Sequence, residues 1–397
     1  LGLMADKSKT PVILSGVRTP IGRFLGGLST LPATQLGALT VQEAVTRAGI
    51  EPGAVQDVIM GNVVGAGAGQ APARQAAIRG GIPASVPAMT INKVCGSGLQ
   101  AIIFGTKPLW LDVASIAVCG GMESMTNAPH IAMGARQGFR YGDATLVDSL
   151  NQDGLRCAFD NCMMGETTDS KNSKLGIGRA EQDEWAAASH ERAAAATKAG
   201  LFGDEIVPVE VPQRRGDPIL VEADEGIRPG TSTETLGRLR PAFHPDGTVT
   251  AGNASQISDG AAAVVVADRA AAEAAGLPVL AEILGYGQTA GPDATLHERP
   301  AEATDKALAA TGLDRRDLDL VEINEAFAAV ALWSAKMLEM DFDRVNANGG
   351  AVALGHPLGA SGARITIALI NALRARGGGV GAASLCGGGG QGDALIV

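Results

Sequence analysis

Two stretches of this chain follow one plan, and a duplicated plan restricts the fold more than any single motif. In the first, "VQDVIMGNVV" reads as a strand and "GQAPARQAAIRGG" as a helix. "PAMTI" is a second strand, "GSGLQAIIF" opens a second helix, and "ASIAVCGG" is a third strand. In the last third, "DLVEI" is a strand and "NEAFAAVALWSAKMLE" a helix. "VNANGG" is a strand with its turn, "HPLGASGARITIALINALRARGGG" a helix with Pro357 near its start, and "GVGAASLCGGGG" a strand running into a loop. Apolar periodicity and Gly/Pro punctuation support each assignment. Even the third strands end alike, "AVCGGMES" against "SLCGGGGQ", which sets Cys119 against Cys386. Ahead of the first unit, "TQLGALTVQEAVTRAG" is a helix closed by Gly49 as its C′ residue. Strand and helix alternating in this way, twice over, predict an α/β fold of two similar halves.

Between the halves, over residues 125–256, charges, glycines and prolines rise, as in "PQRRGDPILVEADEGIRPGTSTETLGRLRPAFHPDG". A loop-rich excursion from a rigid scaffold is a common place for substrate-binding surface. At 397 residues the chain has ample length for a large core. Aromatics make up only 3%, while alanine and glycine abound, so that core must rely on close backbone contacts. The net charge of −10, with no Lys/Arg run longer than two, argues against a nucleic-acid partner. No apolar stretch reaches membrane-spanning length. The N-terminus lacks a signal-peptide core, and Met4 is expected to be the native start. The five cysteines (95, 119, 157, 162 and 386) are odd in number, far apart and form no C-x-x-C. That pattern predicts free thiols in a reducing compartment rather than a disulfide framework or a zinc site.

Three glycine-rich turns carry reactive side chains: Cys95 in "VCGSG", His356 in "GGAVALGHPLGASG" and Cys386 in "LCGGGGQG". By the duplication they fall at corresponding strand ends or strand-to-helix turns, where ligands gather in α/β folds. A cysteine at a helix N-terminus is expected to have a lowered pKa, because the helix end favours the thiolate. A histidine within reach can take its proton. Backbone N–H groups left open by glycine can hold an oxyanion. A second cysteine can move a proton elsewhere on the substrate. The set suits acyl transfer through a thioester. Nucleotide loops do not compete: "GAGAGQ" lacks the third glycine of G-x-G-x-x-G, "GGGGQG" stands too near the C-terminus to open a helix, and no G-x-x-x-x-G-K-[ST] occurs.

Seven segments, from "SGVRTPIGRFLGGL" and "NKVCGSGLQA" through "GGMESMTNAPH", "AGNASQISDGAA" and "INEAFA" to "NGGAVALGHPLGASGAR" and "CGGGGQGDA", together resemble the motifs of the thiolases. They stand in family order and at family spacing from about residue 11 to the C-terminus. "HPLGASGAR" and "CGGGGQG" are closer to the biosynthetic, acetyl-CoA acetyltransferase branch than to the long-chain degradative one. The resemblance implies a layered αβαβα fold. Residues 1–124 with 257–279 would form the N-terminal half and 280–397 the C-terminal half. Residues 125–256 would be a loop domain for coenzyme A and oligomer contacts. It implies a cytoplasmic homo-oligomer, a dimer or dimer of dimers, acting in lipid metabolism on acyl-CoA and CoA. The thioesters are substrates, and no cofactor or metal is expected. The implied reaction is the reversible Claisen condensation of two acetyl-CoA to acetoacetyl-CoA.

Residue by residue, the resemblance makes Cys95 the acyl-carrying nucleophile and His356 its activator. Cys386 would exchange the α-proton of the second acetyl-CoA. Asn324 would position a water that with His356 forms one oxyanion hole, and the N–H groups of Cys95 and Gly388 would form the other. Arg228, Ala251 and Ser255 correspond to coenzyme A contacts, and Leu155, Met164 and Phe327 to the acyl and pantetheine tunnel. Three features depart from the family pattern. Met163 stands where histidine is common, and Gln288 where methionine often lines the acyl pocket. In "FGTKPLWLD", Gly105 and Pro108 are expected to end the helix early. A degradative 3-ketoacyl-CoA thiolase would use the same three residues. A ketosynthase would need Cys-His-His, against which Cys386 argues. An inactive CoA-binding paralogue would lack one of the three, and all are present.

Overall fold

The computed structural model describes residues 10–111 and 113–397, so Met4 lies outside the described residues. The first half runs β1 (Pro11–Arg18), α1 (Ala33–Ala48), β2 (Asp57–Gly61), α2 (Pro72–Arg79), β3 (Ala88–Ile91), α3 (Ser97–Trp110) and β4 (Ile116–Ser124). The chain then leaves on an excursion that includes α4 (Met164–Leu175) and α5 (Arg179–Lys198), and returns as β5 (Ser258–Asp268). The sheet is ordered β1-β5-β4-β2-β3, antiparallel across its first two pairs and parallel across the rest. A short strand, Ala281–Glu282, adds to the outer edge of β1.

The second half runs β6 (Gly285–Ala290), α6 (Arg299–Thr311), β7 (Leu320–Ile323), α7 (Ala328–Met337), α8 (Ser361–Ala375), β8 (Gly381–Gly387) and β9 (Gln391–Ile396). Its order is β6-β9-β8-β7, with the same senses: two antiparallel pairs, then a parallel one. The fifth strand, expected at "VNANGG", is reduced to one parallel bridge between Val321 and Val345. The Asn346 side chain takes over the pairing. Its Oδ1 accepts from the Ile323 N–H at 2.7 Å and its Nδ2 donates to the Ile323 carbonyl at 2.9 Å.

The two sheets and their helices stack in five layers. Helices α1 and α2 cover the outside of the first sheet, α3 and α8 fill the space between the sheets, and α6 and α7 cover the second. Three apolar clusters mark the resulting interfaces. In the middle layer the backbones touch. A Cβ on Gly98 would lie 2.8 Å from the Gly359 carbonyl oxygen and 2.9 Å from the Ala363 nitrogen. A Cβ on Gly61 would lie 2.7 Å from the same carbonyl, and one on Gly121 would overlap it. This seam is where the glycine-rich composition is used.

Several local expectations change. Helix α3 does not stop at Gly105 or Pro108 but runs through both to Trp110. Gly105 leaves room for the Cys119 sulfur, which a side chain there would strike. Pro108 stands in the last turn, where one lost hydrogen bond is least disruptive. Trp110 stacks on Tyr286 at 5.9 Å and fixes the helix end. Helix α7 starts at Ala328, because Phe327 is extended and "NEAF" is a loop. Helix α8 starts at Ser361, which leaves Pro357 in the preceding turn.

The registers also revise the match between halves. Gly61 pairs with Gly121, and Ile323 with Ser384. With "DVIMGN" laid on "DLVEIN", Asn62 answers to Asn324, and Glu123, not Cys119, answers to Cys386. Counting back from the helix starts Ser97 and Ser361, Cys95 answers to Gly359, three residues beyond His356. The reactive trio therefore does not occupy equivalent places.

Candidate active site

Cys95 lies in the turn between β3 and α3 and is only 8% exposed. Val94 ahead of it has φ 50°, a left-handed conformation that a β-branched residue rarely adopts. The turn is held on both sides. Asn92 Oδ1 accepts from the Val94 N–H at 2.9 Å, and Ser97 Oγ donates to the Val94 carbonyl at 2.6 Å. The N–H groups of Gly388 and of Cys95 itself both reach the sulfur. Burial pushes the Cys95 thiol up to about 12; those two N–H groups counter it in part, and the nearby Glu123 carboxylate adds to it. The expected lowered pKa is therefore reversed: desolvation outweighs the helix end, and the resting sulfur is a neutral thiol.

His356 is buried on the opposing turn. Ser361 Oγ donates to the Pro357 carbonyl at 2.9 Å, so the imidazole Nδ1 carries the proton and donates to that Oγ at 2.6 Å. Its Nε2 lone pair then faces Asn324 Nδ2 at 3.4 Å. Burial, and next the Arg364 guanidinium, hold the imidazole down to about 3, so it is neutral at rest. Asn324 stands just past the end of β7, fully buried, its N–H on the Ser384 carbonyl at 3.0 Å. Cys386, at the end of β8, is fully buried; burial and the neighbouring Cys95 sulfur raise its thiol well above the usual range.

Around Cys386 packs a small apolar cluster of Val249, Leu296, Ala326, Phe327 and Val330, with Met164, Phe243 and Ala254 against it. Phe243 meets Phe327 edge-on, 6.4 Å between ring centres. Leu155 packs instead on the cluster that contains Cys95 and Leu358. Ser255 abuts this pocket, its N–H on the Ala326 carbonyl at 3.1 Å. Arg228 and Ala251 are exposed on the excursion. The Arg228 N–H donates to His190 Nδ1 at 3.2 Å. Among the described residues, neither joins the sulfur pair through a hydrogen bond or an apolar cluster.

Comparison with known families decides the matter. The model described as "Thiolase, N-terminal domain" matches residues 11–270, and "Thiolase, C-terminal domain" matches residues 277–397. The chain belongs to the thiolase family. This thiolase is 52% identical over 386 residues to a "Probable acetyl-CoA acetyltransferase" of Mycolicibacterium smegmatis, covering 97% of this chain and 100% of the other. It is 50% identical over 385 residues to an "Acetyl-CoA acetyltransferase" of Chromobacterium violaceum, covering 97% and 98%. A protein of the same name from Cupriavidus necator is 49% identical over 386 residues, with 97% and 98% covered.

Sequence reading missed several residues that shape the site of this thiolase. Ser361, which orients His356, sits five positions along the same motif. Glu325 follows Asn324 and accepts from Trp185 Nε1 at 2.9 Å, Ser189 Oγ at 2.8 Å, Asn346 Nδ2 at 2.8 Å and the Val352 N–H at 3.0 Å. It ties α5 of the excursion to the loop that carries Asn324. Phe243 and Leu296 come from segments without periodicity, so nothing local marks them. The two atypical residues have definite partners. The Gln288 amide bonds Gln100 and, at 2.8 Å, Asp393, which also pairs with Lys93 at 2.5 Å. Met163 heads α4, its N–H on Glu166 Oε2 at 2.5 Å.

Proposed function

We propose that this thiolase catalyses the reversible Claisen condensation of two acetyl-CoA to acetoacetyl-CoA and CoA through S-acetyl-Cys95. The observation that carries the reading is a pair of neighbouring buried thiols, with a neutral imidazole on the turn whose Leu358 packs in the apolar cluster of Cys95. One thiol is faced by two backbone N–H groups, and the imidazole has its free nitrogen toward an amide. The Cys95 sulfur attacks the thioester carbonyl as His356 Nε2 takes its proton. The tetrahedral oxygen lies against the N–H groups of Cys95 and Gly388. CoA leaves with a proton from Cys386, whose sulfur then removes an α-proton from the second acetyl-CoA. The enolate oxygen is held by imidazolium and by a water on Asn324. Attack on the acetyl group expels Cys95, which recovers its proton from His356. A pair that is neutral at rest can run this cycle because each charge forms against a donor already in place.

The names of the relatives support the acetyl preference, and so does the pocket wall. Met164, Phe243, Phe327 and Leu296 crowd Cys386. A methylene that finds apolar room gains about 0.8 kcal/mol, whereas one forced into a packed wall costs about 1–3 kcal/mol. Arg228, Ala251 and Ser255 would meet the coenzyme A handle, and Leu155 the pantetheine arm. The same reading makes the enzyme a cytoplasmic homotetramer of lipid metabolism. Free thiols at all five cysteines and the exposed Phe139, Tyr141 and Leu146 on the excursion support it. Among the described residues no helix is long and apolar enough to cross a membrane.

The test combines mass analysis with a substrate series. After incubation with acetyl-CoA and digestion, the acetyl group is expected on Cys95, and its appearance on another residue sinks the assignment. For 3-ketoacyl-CoA thiolysis, kcat/KM is expected to fall from four carbons to eight. A steady rise would reassign the enzyme to longer substrates.

A further inference from the structure

Two buried side chains, Arg364 and Glu322, lie directly behind the amide of Asn324. Arg364, in the first turn of α8, is 2% exposed, and its Nη2 donates to Asn324 Oδ1 at 3.5 Å. Its Nη1 lies 3.7 Å from the Glu322 carboxylate on β7. Burying a guanidinium here is costly, and among the described residues Nε and Nη1 have no hydrogen-bond partner. Its surroundings are charged as well as apolar, with the buried Glu322, Arg18, Glu325 and Glu205 all near enough to act on it.

The donor and acceptor pattern gives it a use. A guanidinium has five donors and no acceptor, whereas an amide has a donor end and an acceptor end. Arg364 can therefore meet only the carbonyl end of Asn324. That leaves Nδ2 facing His356 Nε2 at 3.4 Å, and the chain continues from His356 Nδ1–H to Ser361 Oγ and on to the Pro357 carbonyl. Ser361 and Arg364 are three apart on one face of α8. One helical turn thus sets the polarity of the chain from both ends.

We propose that Arg364 is a positioning residue that fixes the amide of Asn324 with its N–H groups toward the reacting atoms. An amide free to rotate would for part of the time turn its carbonyl to the bound water and take one of the water's two protons, leaving it less to donate to the enolate oxygen. The inference rests on the proposed role of Asn324 in the condensation step.

The test uses the paired variant R364M/E322M, which removes the guanidinium and its carboxyl partner together, so that Asn324 Oδ1 loses its donor while no buried Glu322 is left without Arg364. The readouts are deuterium exchange into the α-position of acetyl-CoA, which reports the enolate step, and acetylation of Cys95 by mass. Exchange is expected to fall on the order of 10- to 100-fold, less than the roughly 10²–10³ for loss of an oxyanion donor outright. Cys95 acetylation and the KM for acetyl-CoA should stay near wild type. R364K, which keeps a donor for Oδ1, should recover most of the loss. In an N324A background the paired change should have no further effect, because Arg364 acts through that amide. Additive losses, or equal losses in exchange and acetylation, overturn the proposal. Should the paired variant not fold, R364M alone, which also removes the donor to Oδ1, carries the same cycle. If N324A alone leaves exchange intact, it is the role of Asn324 that fails.

Discussion

At the scale of the residue, the proposed site rests on neutral partners. Cys95 is pushed up to about 12 and His356 down to about 3, so neither titrates between pH 6 and 8. On the proposed function, proton transfer from the Cys95 sulfur to His356 Nε2 accompanies attack rather than preceding it. Inactivation by iodoacetamide should therefore be nearly flat in wild type over pH 6–8. In His356→Ala the rate should instead follow the thiolate fraction, about tenfold per pH unit. A wild-type limb centred near 6.5 would mean that the imidazole ionises there and would overturn the neutral-pair reading. Cys95, His356 and Cys386 stood out as candidates because each sits in a glycine-rich turn. Their ionisation was not legible, because burial is a property of the packed layers and the sequence displays only the helix end.

At the scale of the element, the middle layer sets the geometry. Helices α3 and α8 approach through glycine, and the turns bearing Cys95 and His356 ride on their N-termini. Gly98→Ala would place a methyl 2.8 Å from the Gly359 carbonyl oxygen and 2.9 Å from the Ala363 nitrogen, both backbone atoms that cannot swing away. A destabilisation of about 1–3 kcal/mol is expected by urea titration, with a fall in kcat. Gly53→Ala, with nothing within 4 Å, is the control and should be neutral or slightly stabilising. A neutral Gly98→Ala would show that the helices have room to separate. Strand and helix existence was readable for most of both halves from periodicity. The boundaries were not. Pro108 stays helical because Gly105 and Trp110 hold α3 from either side, and "VNANGG" loses its strand because a side chain, Asn346, substitutes for backbone pairing.

At the scale of the whole molecule, buried ionisable groups pull stability in two directions. His356 is held down to about 3, and His190 and His297 to about 4, chiefly by burial. Folding excludes their protons, so their contribution is present above about pH 6.5 and is lost as the pH falls toward 4 and below. Burial raises Glu123 to about 7 and Glu322 to about 8. Their contribution is present below about pH 4.5 and is lost as the pH rises through 7 to 8. Above that range the raised thiols of Cys95, Cys119 and Cys386 extend the loss. The expected profile in urea is shallow from about pH 5 to 6.5, where the two sets oppose each other, and falls steadily toward pH 9. A midpoint still rising at pH 8 would contradict this balance. The two-half architecture was visible in the repeated sequence plan, but the correspondence inside it needed the strand registers. Those registers put Glu123 opposite Cys386 and Gly359 opposite Cys95. The Glu123 carboxylate receives the N–H groups of Val63, Val64 and Gly359 and the Asn62 amide at 2.8–3.1 Å. The counterpart of the reaction centre is thus filled by the protein's own acid, bonded across to the turn that follows His356. In stoichiometric terms, on the proposed function a chain built of two like halves counts as one: a single acetyl equivalent is expected per polypeptide, because the first half's own Glu123 fills the counterpart place.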